Sequence, residues 1–374
     1  MTTVDVSQSR LDAIRRKVED GVRLSADDGL ALFAPEVDLH LVGRLADAVR
    51  RRKNGDVAYY NINAHLNPTN VCEYRCPLCA YSRDAGDPSA YVMDDAAILA
   101  RGREAVAHGA TELHIVGGLH PEMPLDWYVG ILRSLHEAYP SLHLKAWTAV
   151  EIDWFAQRAG VSHRAVLEAM IAAGLGSMPG GGAEIFDEEV RRRVSPRKSS
   201  GETWLAVHRA AHELGLRTNA TMLYGHVETH AHRVDHLLRL RALQDATGGF
   251  QAMVPLSFHA EGTSVSVEEM PGPSAMDDLR VVAVSRLLLD NFDHVKAYWI
   301  SLGVGTAQAA LGYGADDLDG TVRYELIHHE AGSQSPEALS VEELCGLIRE
   351  AGFRPVERDS LYRPVVRAGP PETT

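Results

Sequence analysis

The chain has 374 residues, of which 45% are hydrophobic and 24% are charged, and its formal net charge is -14 at pH 7. This composition is typical of a folded globular protein and excludes a disordered chain. The acidic charge argues against nonspecific binding to nucleic acid or to an anionic membrane.

The N-terminal stretch MTTVDVSQSRLDAIRRKVEDG is polar and charged, and it contains no apolar core of the kind that a secretory signal needs. No stretch approaches the roughly 18 uninterrupted apolar residues that would suggest a membrane span. We therefore predict a cytoplasmic protein. In that compartment thiols stay reduced, and clustered cysteines hold metal more often than they pair with one another.

Three helical patterns open the chain: SRLDAIRRKVEDG, then SADDGLALF, then LHLVGRLADAVRRRKNG. Ser25 is suited to cap the second helix, because its hydroxyl can accept a bond from a free amide of the first turn. Gly55 is suited to end the third, because glycine readily adopts a left-handed conformation. We predict a helical preface over residues 1–56.

From about Val57 onward, short apolar runs alternate with helix-length segments. The eight runs are VAYYNINAHLN, ELHIVGG, LHLKAWTAV, GLGSMPGGGAEI, RTNATMLYG, GFQAMVPLSF, VKAYWISLG and DDLDGTV. Several are uninterrupted, as expected for strands buried on both faces of a parallel sheet. Eight units favour a closed barrel. We predict an α/β fold with a (β/α)8 barrel over residues 57–330, and a C-terminal helix and tail packed on it over residues 331–374.

Three of the four cysteines, Cys72, Cys76 and Cys79, lie in the stretch NVCEYRCPLC, directly after the first predicted barrel strand. Barrel enzymes carry their active site at that end of the strands. A structural zinc site would need a distant histidine as its fourth ligand. Three free thiols would leave an oxidisable cluster on a loop. An iron–sulfur cluster held by three thiolates would leave one iron open to a small ligand. The fourth cysteine, Cys345, is expected to be a buried hydrophobic residue of the helical pattern SVEELCGLIREAG.

The spacing of these cysteines resembles the motif of the radical S-adenosylmethionine enzymes. The resemblance implies a [4Fe-4S] cluster held by Cys72, Cys76 and Cys79, with S-adenosylmethionine at its open iron. The residue before the third cysteine is usually aromatic in that superfamily, whereas it is Leu78 here. Leucine supplies apolar contact to the adenine but no stacking, and Tyr81 is the alternative source of a ring.

Two glycine-rich stretches follow later strands. IVGGLHP contains Gly117 and Gly118, where the missing side chains expose the backbone to a ligand. It matches the superfamily's motif for the methionine end of the cofactor. SMPGGGAEIF contains Gly181, Gly182 and Glu184, whose carboxylate is suited to accept hydrogen bonds from ribose hydroxyls. The alternative for each glycine stretch is a simple tight turn.

Histidines near strand ends are the candidate catalytic residues. His65 lies on the first strand, and His226 and His259 follow the fifth and sixth runs. The chain has 18 histidines, so most of them are expected to be ordinary surface or core residues.

A more specific resemblance covers residues 10 to 362. NINAHLNPTNVCEYRCPLCAYSR, ELHIVGGLHP, KAWTAVEID, SMPGGGAEIF, NATMLYGHVET and GADDLDGTV together resemble the aminofutalosine (aminodeoxyfutalosine) synthase family. The resemblance implies addition of the 5'-deoxyadenosyl radical to 3-[(1-carboxyvinyl)oxy]benzoate, with rearrangement and decarboxylation to 6-amino-6-deoxyfutalosine, in the futalosine route to menaquinone. It also implies an electron donor such as flavodoxin or ferredoxin.

Such a substrate carries two carboxylates, which need cationic or donor groups in an otherwise acidic protein. Arg286 is a charge within the apolar helix pattern VSRLLLDNF and is the first candidate; the equal alternative is a place on the solvent face or a structural pair with Asp290. Asn67, Asn70 and Asp319 are further candidates. Two other functions stay open: cyclic dehypoxanthinylfutalosine synthase or another enzyme of the same subgroup, and a zinc-stabilised binding protein.

Overall fold

The computed structural model describes residues 6–265 and 270–367; residues 1–5 of the predicted preface and 368–374 of the predicted tail lie outside the described residues. The helices are α1 Gln8–Glu19, α2 Ala26–Phe33, α3 Leu39–Asn54, α4 Asp95–Ala107, α5 Leu125–Ala138, α6 Ala149–Ala159, α7 His163–Ala172, α8 Glu188–Val194, α9 Gly201–Glu213, α10 His230–Thr247, α11 Ala275–Leu288, α12 Trp299–Leu302, α13 Val304–Ala310, α14 Ile327–Glu330 and α15 Val341–Glu350. None of these helices is long and apolar enough to cross a lipid bilayer.

The strands are β1 Val57–Asn61, β2 Asn63–Leu66, β3 Glu112–Ile115, β4 His143–Ala146, β5 Leu175–Met178, β6 Arg217–Tyr224, β7 Phe250–Ser257, β8 His294–Val295, β9 Asp317–Gly320 and β10 Arg354–Glu357. Strands β2 to β8 form one parallel sheet in chain order. The bridge Lys296↔Asp317 joins β9 to the residue that follows β8, at one edge of that sheet. The bridge Ala64↔Arg323 joins the segment just after β9 to β2, at the other edge. Eight parallel strands therefore surround one interior, which confirms the predicted barrel.

The first predicted run is divided between two sheets. β1 pairs with β9 and β10, whereas β2, which begins two residues after β1 ends, pairs with β3. The continuous apolar pattern contains no signal for this change of partner. Strand β10 was not predicted, and it extends the small sheet on the far side of β1 from β9.

The three helices predicted for the preface are confirmed as α1, α2 and α3. The Ser25 hydroxyl accepts a hydrogen bond from the Asp28 amide, and the Asp28 carboxylate accepts one from the Ser25 amide, which closes the start of α2. Gly55 ends α3 with a φ of 61°. Helix α3 packs against α11 and thereby attaches the preface to the barrel.

The lower interior of the barrel holds ion pairs instead of an apolar core. Charged side chains buried this deeply need partners, because a lone ion away from water is costly. Each pair has a nitrogen to oxygen distance of 2.6 Å: Glu112–Lys145, Lys296–Asp319 and Arg358–Asp317. Cys345 lies elsewhere, on α15 at 9% exposure, which confirms its predicted burial.

Candidate functional site

The cysteine loop begins at the carboxyl end of β2 and is tied to itself by backbone bonds. The Cys72 amide donates to the Arg83 carbonyl at 3.0 Å, and the Cys79 amide donates to the Cys76 carbonyl at 2.9 Å. The Asn70 side chain donates to the Ser89 carbonyl at 2.9 Å and accepts from the Tyr91 amide at 2.8 Å. Both ends of the Asn70 amide therefore hold the loop, and a contact of Asn70 with substrate stays a prediction.

Neighbouring segments form hydrogen bonds with Glu73 of the same loop. The Trp154 indole of α6 donates to the Glu73 carboxylate at 2.5 Å. The Arg197 guanidinium donates to the Glu73 carbonyl at 2.7 Å, and the Glu73 amide donates to the Leu119 carbonyl at 3.0 Å. Three separate segments thus fix the position of the backbone between the first two cysteines.

All three thiols of the loop are free; Cys76 is buried and the other two are half-buried. Cys76 and Cys79 line a cavity of about 270 Å³. Burial raises the pKa of Cys76 to about 11, and the Lys198 ammonium opposes this shift. Burial therefore disfavours the Cys76 thiolate, and a bound metal would be needed to take the place of the proton.

These residues fit the predicted cluster by the chemistry of their donors. Within residues 6–265 and 270–367, no group of three or more His, Cys, Asp or Glu side chains is placed to share a single metal ion. Cysteines that hold a [4Fe-4S] cluster bind separate irons, so they need not converge on one point. Three thiols with no fourth beside them match a cluster that keeps one iron open.

The first glycine stretch packs directly on the backbone of the cysteine loop. The Gly118 amide donates to the Thr69 carbonyl at 2.8 Å, and a Cβ atom on Gly118 would lie 2.1 Å from the Val71 carbonyl oxygen. A Cβ on Gly117 would lie 3.0 Å from the Thr69 oxygen. The glycines are therefore needed for the close approach of two loops, in addition to any role in exposing backbone to a ligand.

We expect Gly118→Ala to displace the cysteine loop, because the new methyl group and the Val71 carbonyl cannot occupy the same space. The measurement is iron and sulfide bound per chain after anaerobic reconstitution, which should fall by at least half. Gly130→Ala is the matched control, since a Cβ there meets nothing within 4 Å. Full iron content in Gly118→Ala would contradict this account of the packing.

Glu151 is a site residue that the sequence analysis missed. Its buried carboxylate accepts bonds from the Gly117 amide at 3.0 Å and from the Thr148 amide at 2.6 Å. Burial raises the pKa of Glu151 to about 7, although those amides oppose the shift. The available signal was the spacing of Thr148 and Glu151 in KAWTAVEID, which is that of a capping box. Glu151 connects α6 to the glycine turn after β3.

The second glycine stretch places Glu184 beside Lys198. The two charges lie 2.5 Å apart, and Glu184 is 7% exposed. Burial alone would raise the pKa of Glu184, but the Lys198 ammonium brings it below its ordinary value. Gly182 has a φ of 80°, and the Arg191 guanidinium donates to its carbonyl at 3.3 Å. The carboxylate predicted from the sequence is thus held ionised at the mouth by a lysine that was not predicted.

The apolar wall of the mouth contains both Leu78 and an unpredicted aromatic residue. Leu78 packs against a small cluster formed by Phe258, Ala260 and Met270. Tyr81 is 5% exposed, and its hydroxyl bonds to the Thr69 carbonyl and to the Tyr91 hydroxyl, so its ring is part of the packing under the loop. Phe258 therefore brings an aromatic ring into the cluster against which Leu78 packs, whereas a contact of Tyr81 with adenine stays a prediction.

The three candidate histidines have different surroundings. Both ring nitrogens of His226 form hydrogen bonds within its own turn, Nε2 with the Leu223 carbonyl and Nδ1 with the Val227 amide. Neither nitrogen is therefore free for the predicted catalytic role. His259 contacts the Ser301 carbonyl through Nε2 at 2.8 Å. His65 stacks on His114 with ring centroids 4.6 Å apart, and its buried Nε2 has no partner among the described residues. His65 is thus the candidate with an available nitrogen inside the barrel.

The remaining polar candidates are partly used by the fold. Asn67 donates to the Val116 carbonyl at 2.8 Å and thereby links the exits of β2 and β3, while its buried Oδ1 has no partner within the described segments. Asp319 pairs with Lys296 and lies 3.5 Å from Arg358. Both stay predictions as substrate contacts.

The prediction that Arg286 lies at the barrel mouth is wrong, and so is the alternative pair with Asp290. Arg286 is fully buried and donates to the carboxylate of Asp316 and to the carbonyls of Asp293 and Gly314. Asp293 and Asp316 immediately precede β8 and β9, so this cluster lies at the amino ends of the strands. Arg286 therefore stabilises the closed bottom of the barrel, opposite the cysteine loop.

Comparisons with known proteins agree with this geometry. A family model described as the radical SAM superfamily matches residues 66–240, and one described as the CofH/MqnC C-terminal region matches residues 247–369. The chain is 46% identical over 362 residues to an aminodeoxyfutalosine synthase of Thermus thermophilus, covering 96% of this chain and 97% of the relative. It is 46% identical over 360 residues to the synthase of Streptomyces coelicolor, covering 93% and 92%.

A second group of relatives has a different name. The chain is 41% identical over 344 residues to a 5-amino-6-(D-ribitylamino)uracil--L-tyrosine 4-hydroxyphenyl transferase of Methanopyrus kandleri, covering 91% of this chain and 93% of the relative. Among solved structures, methylornithine synthase aligns with a TM-score of 0.72 at 16% identity, covering 91% and 97% of the two chains. The [FeFe]-hydrogenase maturase HydG aligns with a TM-score of 0.73 at 15% identity, covering 94% and 76%. At these identities the two structures support the fold alone.

Proposed function

Because the chain belongs to the aminodeoxyfutalosine synthase family of radical S-adenosylmethionine enzymes, we propose that it converts S-adenosylmethionine and 3-[(1-carboxyvinyl)oxy]benzoate into 6-amino-6-deoxyfutalosine. The reaction releases methionine and removes one substrate carboxylate as carbon dioxide or bicarbonate. In this proposal the product enters the futalosine route to menaquinone. The observation that carries the proposal is the three-cysteine loop beside Gly117, Gly118 and Glu184 at one end of the barrel.

Three loops of the chain would each bind a different part of the cluster and S-adenosylmethionine. Cys72, Cys76 and Cys79 would hold the [4Fe-4S] cluster, which when bound supplies the electron that cleaves S-adenosylmethionine to the 5'-deoxyadenosyl radical. The backbone at Gly117 would meet the methionine end. Glu184, kept ionised by its lysine partner, would accept hydrogen bonds from the ribose hydroxyls.

The substrate would enter the polar interior below those loops. Since Arg286 is not available, the interior cations are the ones to consider for the two carboxylates. Lys145 and Lys296 each donate one hydrogen bond to a carboxylate of the chain, and an ammonium group has three donors. We infer that these lysines use their remaining donors on the substrate, with His65 Nε2 as a neutral partner, because burial lowers the pKa of His65.

The decisive experiment is a product assay on anaerobically reconstituted protein with S-adenosylmethionine, dithionite and the enolpyruvyl benzoate. We expect a nucleoside adduct with the mass of 6-amino-6-deoxyfutalosine. A parallel reaction contains L-tyrosine and 5-amino-6-(D-ribitylamino)uracil, the substrates in the name of the second group of relatives. A third contains dehypoxanthinylfutalosine.

The parallel reactions distinguish the proposed activity from those of related enzymes. Turnover of the tyrosine mixture, or cyclisation of dehypoxanthinylfutalosine, without any adduct from the benzoate would contradict the proposal and identify the related activity. Free 5'-deoxyadenosine as the only product in the benzoate reaction would also count against it. Colourless protein that contains zinc would favour the binding protein that the sequence left open.

A further inference from the structure

The end of α8 and the first residues after it concentrate positive charge in an acidic chain. Five of the eight residues in RRRVSPRK, residues 191–198, are Arg or Lys, although the net charge of the chain is -14. Arg191 and Lys198 are used inside the site, on the glycine loop and on its carboxylate. The other three, Arg192, Arg193 and Arg197, are exposed. We call these three residues the basic patch.

The basic patch reaches the cysteine loop through Arg197. Arg197 contacts the carbonyl of Glu73, the residue that follows the first cysteine, at 2.7 Å. Arg158, with 44% of its side chain exposed, approaches the Glu73 carboxylate to 4.0 Å and donates to the Pro121 carbonyl. Arg197 therefore joins the patch to the loop that carries Cys72 and Cys79, which are themselves only half-buried.

The fold makes little use of these charges. Within the described residues, the guanidinium groups of Arg192 and Arg193 have neither a hydrogen bond nor an ion pair, and Arg197 bonds only to a neutral carbonyl. The nearest acids on the same helix are Glu188 and Glu189 in its first turn, and the Glu188 carboxylate accepts a bond from the Gly201 amide. Arg192 and Arg193 lie in the last turn of α8, where the helix dipole favours a cation, but no ion pair or hydrogen bond adds to this small contribution.

We propose that the basic patch is the docking surface for a small acidic electron-transfer protein of the flavodoxin type. The inference rests on the proposed function, because only a redox cluster on the cysteine loop gives such a carrier a reason to bind there. In the encounter the carrier is oxidised by one electron and the cluster is reduced by one. No bond forms or breaks in this step.

Charge explains why the partner docks at this place. An acidic carrier is repelled by the overall field of a chain with a charge of -14, whereas a local group of arginines attracts it. Complementary charge of this kind determines the orientation and the rate of encounter more than the final affinity. Docking here brings the carrier to the part of the site that reaches the surface, while the barrel mouth stays available to the substrate.

The test compares two charge reversals of equal size. Arg192→Glu/Arg193→Glu alters the patch. The control, Arg16→Glu/Arg44→Glu, alters two exposed arginines of the preface. Helix α3 of the preface packs against α11, and at its end the Asn54 side chain donates to the Asp293 carbonyl just before β8, so the preface lies on a different part of the barrel from α8. Both variants change the net charge by the same amount, so a general field effect would appear in both.

The readout is the rate at which reduced flavodoxin bleaches the cluster in stopped-flow absorbance, together with the flavodoxin Kd, and neither needs the benzoate substrate. We expect the patch reversal to slow reduction by about ten-fold or more at low ionic strength and to flatten its salt dependence. The control should stay within about two-fold of wild type. With dithionite, which needs no docking surface, the patch variant and wild type should be reduced equally.

An unchanged flavodoxin rate in the patch variant would overturn the inference. An equal loss in the control would overturn it as well, since the effect would then be one of net charge. A loss of reduction by dithionite would show that the patch supports the loop structurally. Failure of the proposed function has a different signature: flavodoxin reduces the cluster of the wild-type protein, but no nucleoside adduct forms with either reductant.

Discussion

Cys76→Ala is expected to abolish the brown colour of the reconstituted protein and to lower product formation by roughly 10³-fold or more, because the radical chemistry belongs to the cofactor and has no route without it. Cys76 is the most buried of the three loop cysteines, and it lines the cavity together with Cys79. Its removal leaves two protein thiolates for a cluster that requires three. Iron and sulfide analysis and the visible absorption of the anaerobic protein are the measurements.

Cys345→Ala is the matched control, since it removes the same atom from a buried site on α15. We expect unchanged iron content and unchanged turnover, with a cost in unfolding free energy of roughly 1 kcal/mol for the small cavity. A cluster retained in Cys76→Ala, or lost in Cys345→Ala, would reverse the assignment of ligands. Measuring both variants separates the loss of a ligand from the general loss of a thiol.

Arg286→Met is expected to lower the free energy of unfolding by about 3–5 kcal/mol, because it leaves the fully buried Asp316 carboxylate without its main partner. His294 Nδ1 lies 2.6 Å from the same carboxylate and offsets part of the loss. Urea unfolding monitored by circular dichroism gives the value. At temperatures well below the transition, the KM for the benzoate should stay within about two-fold of wild type.

A double variant makes the Arg286 result specific. Arg286→Met/Asp316→Asn removes both charges. We therefore expect its free energy of unfolding to exceed that of Arg286→Met by about 1 kcal/mol or more, which is the usual size of the coupling energy between residues in contact. An increase in KM of about ten-fold with unchanged stability would restore the sequence-based assignment of Arg286 to substrate binding. Equal stability of the single and double variants would contradict the buried ion pair.

The site could be predicted from the sequence only where its residues are neighbours in the chain. The cysteine spacing, the glycines of IVGGLHP and SMPGGGAEIF, and Glu184 are each contained in a short stretch, and the structure places these stretches at one end of the barrel. Lys198, Glu151 and Phe258 were missed, since each acts on a loop that lies far from it in sequence. The spacing of Thr148 and Glu151 indicates a capping box, but the sequence around these three residues does not indicate their contacts with distant loops.

Several local features of this protein follow from short stretches of its sequence: the preface helices with Ser25 and Gly55 at their ends, the alternation of strands and helices, the burial of Cys345, and the three cysteines. The chemistry of each lies within a few residues, so spacing and residue type suffice. The run VKAYWISLG shows the limit, because a short apolar run fits strand or helix, and its end forms helix α12.

Which charges are available to a ligand depends on contacts between segments that lie far apart in the chain. Periodicity indicated that Arg286 lies on a helix with apolar neighbours, but its partner Asp316 is 30 residues away in sequence. The same holds for Glu184 with Lys198 and for the division of VAYYNINAHLN between two sheets. A buried charge is stable only with a partner. Which residue becomes that partner depends on how distant segments pack together, and a local sequence pattern contains no information about that packing.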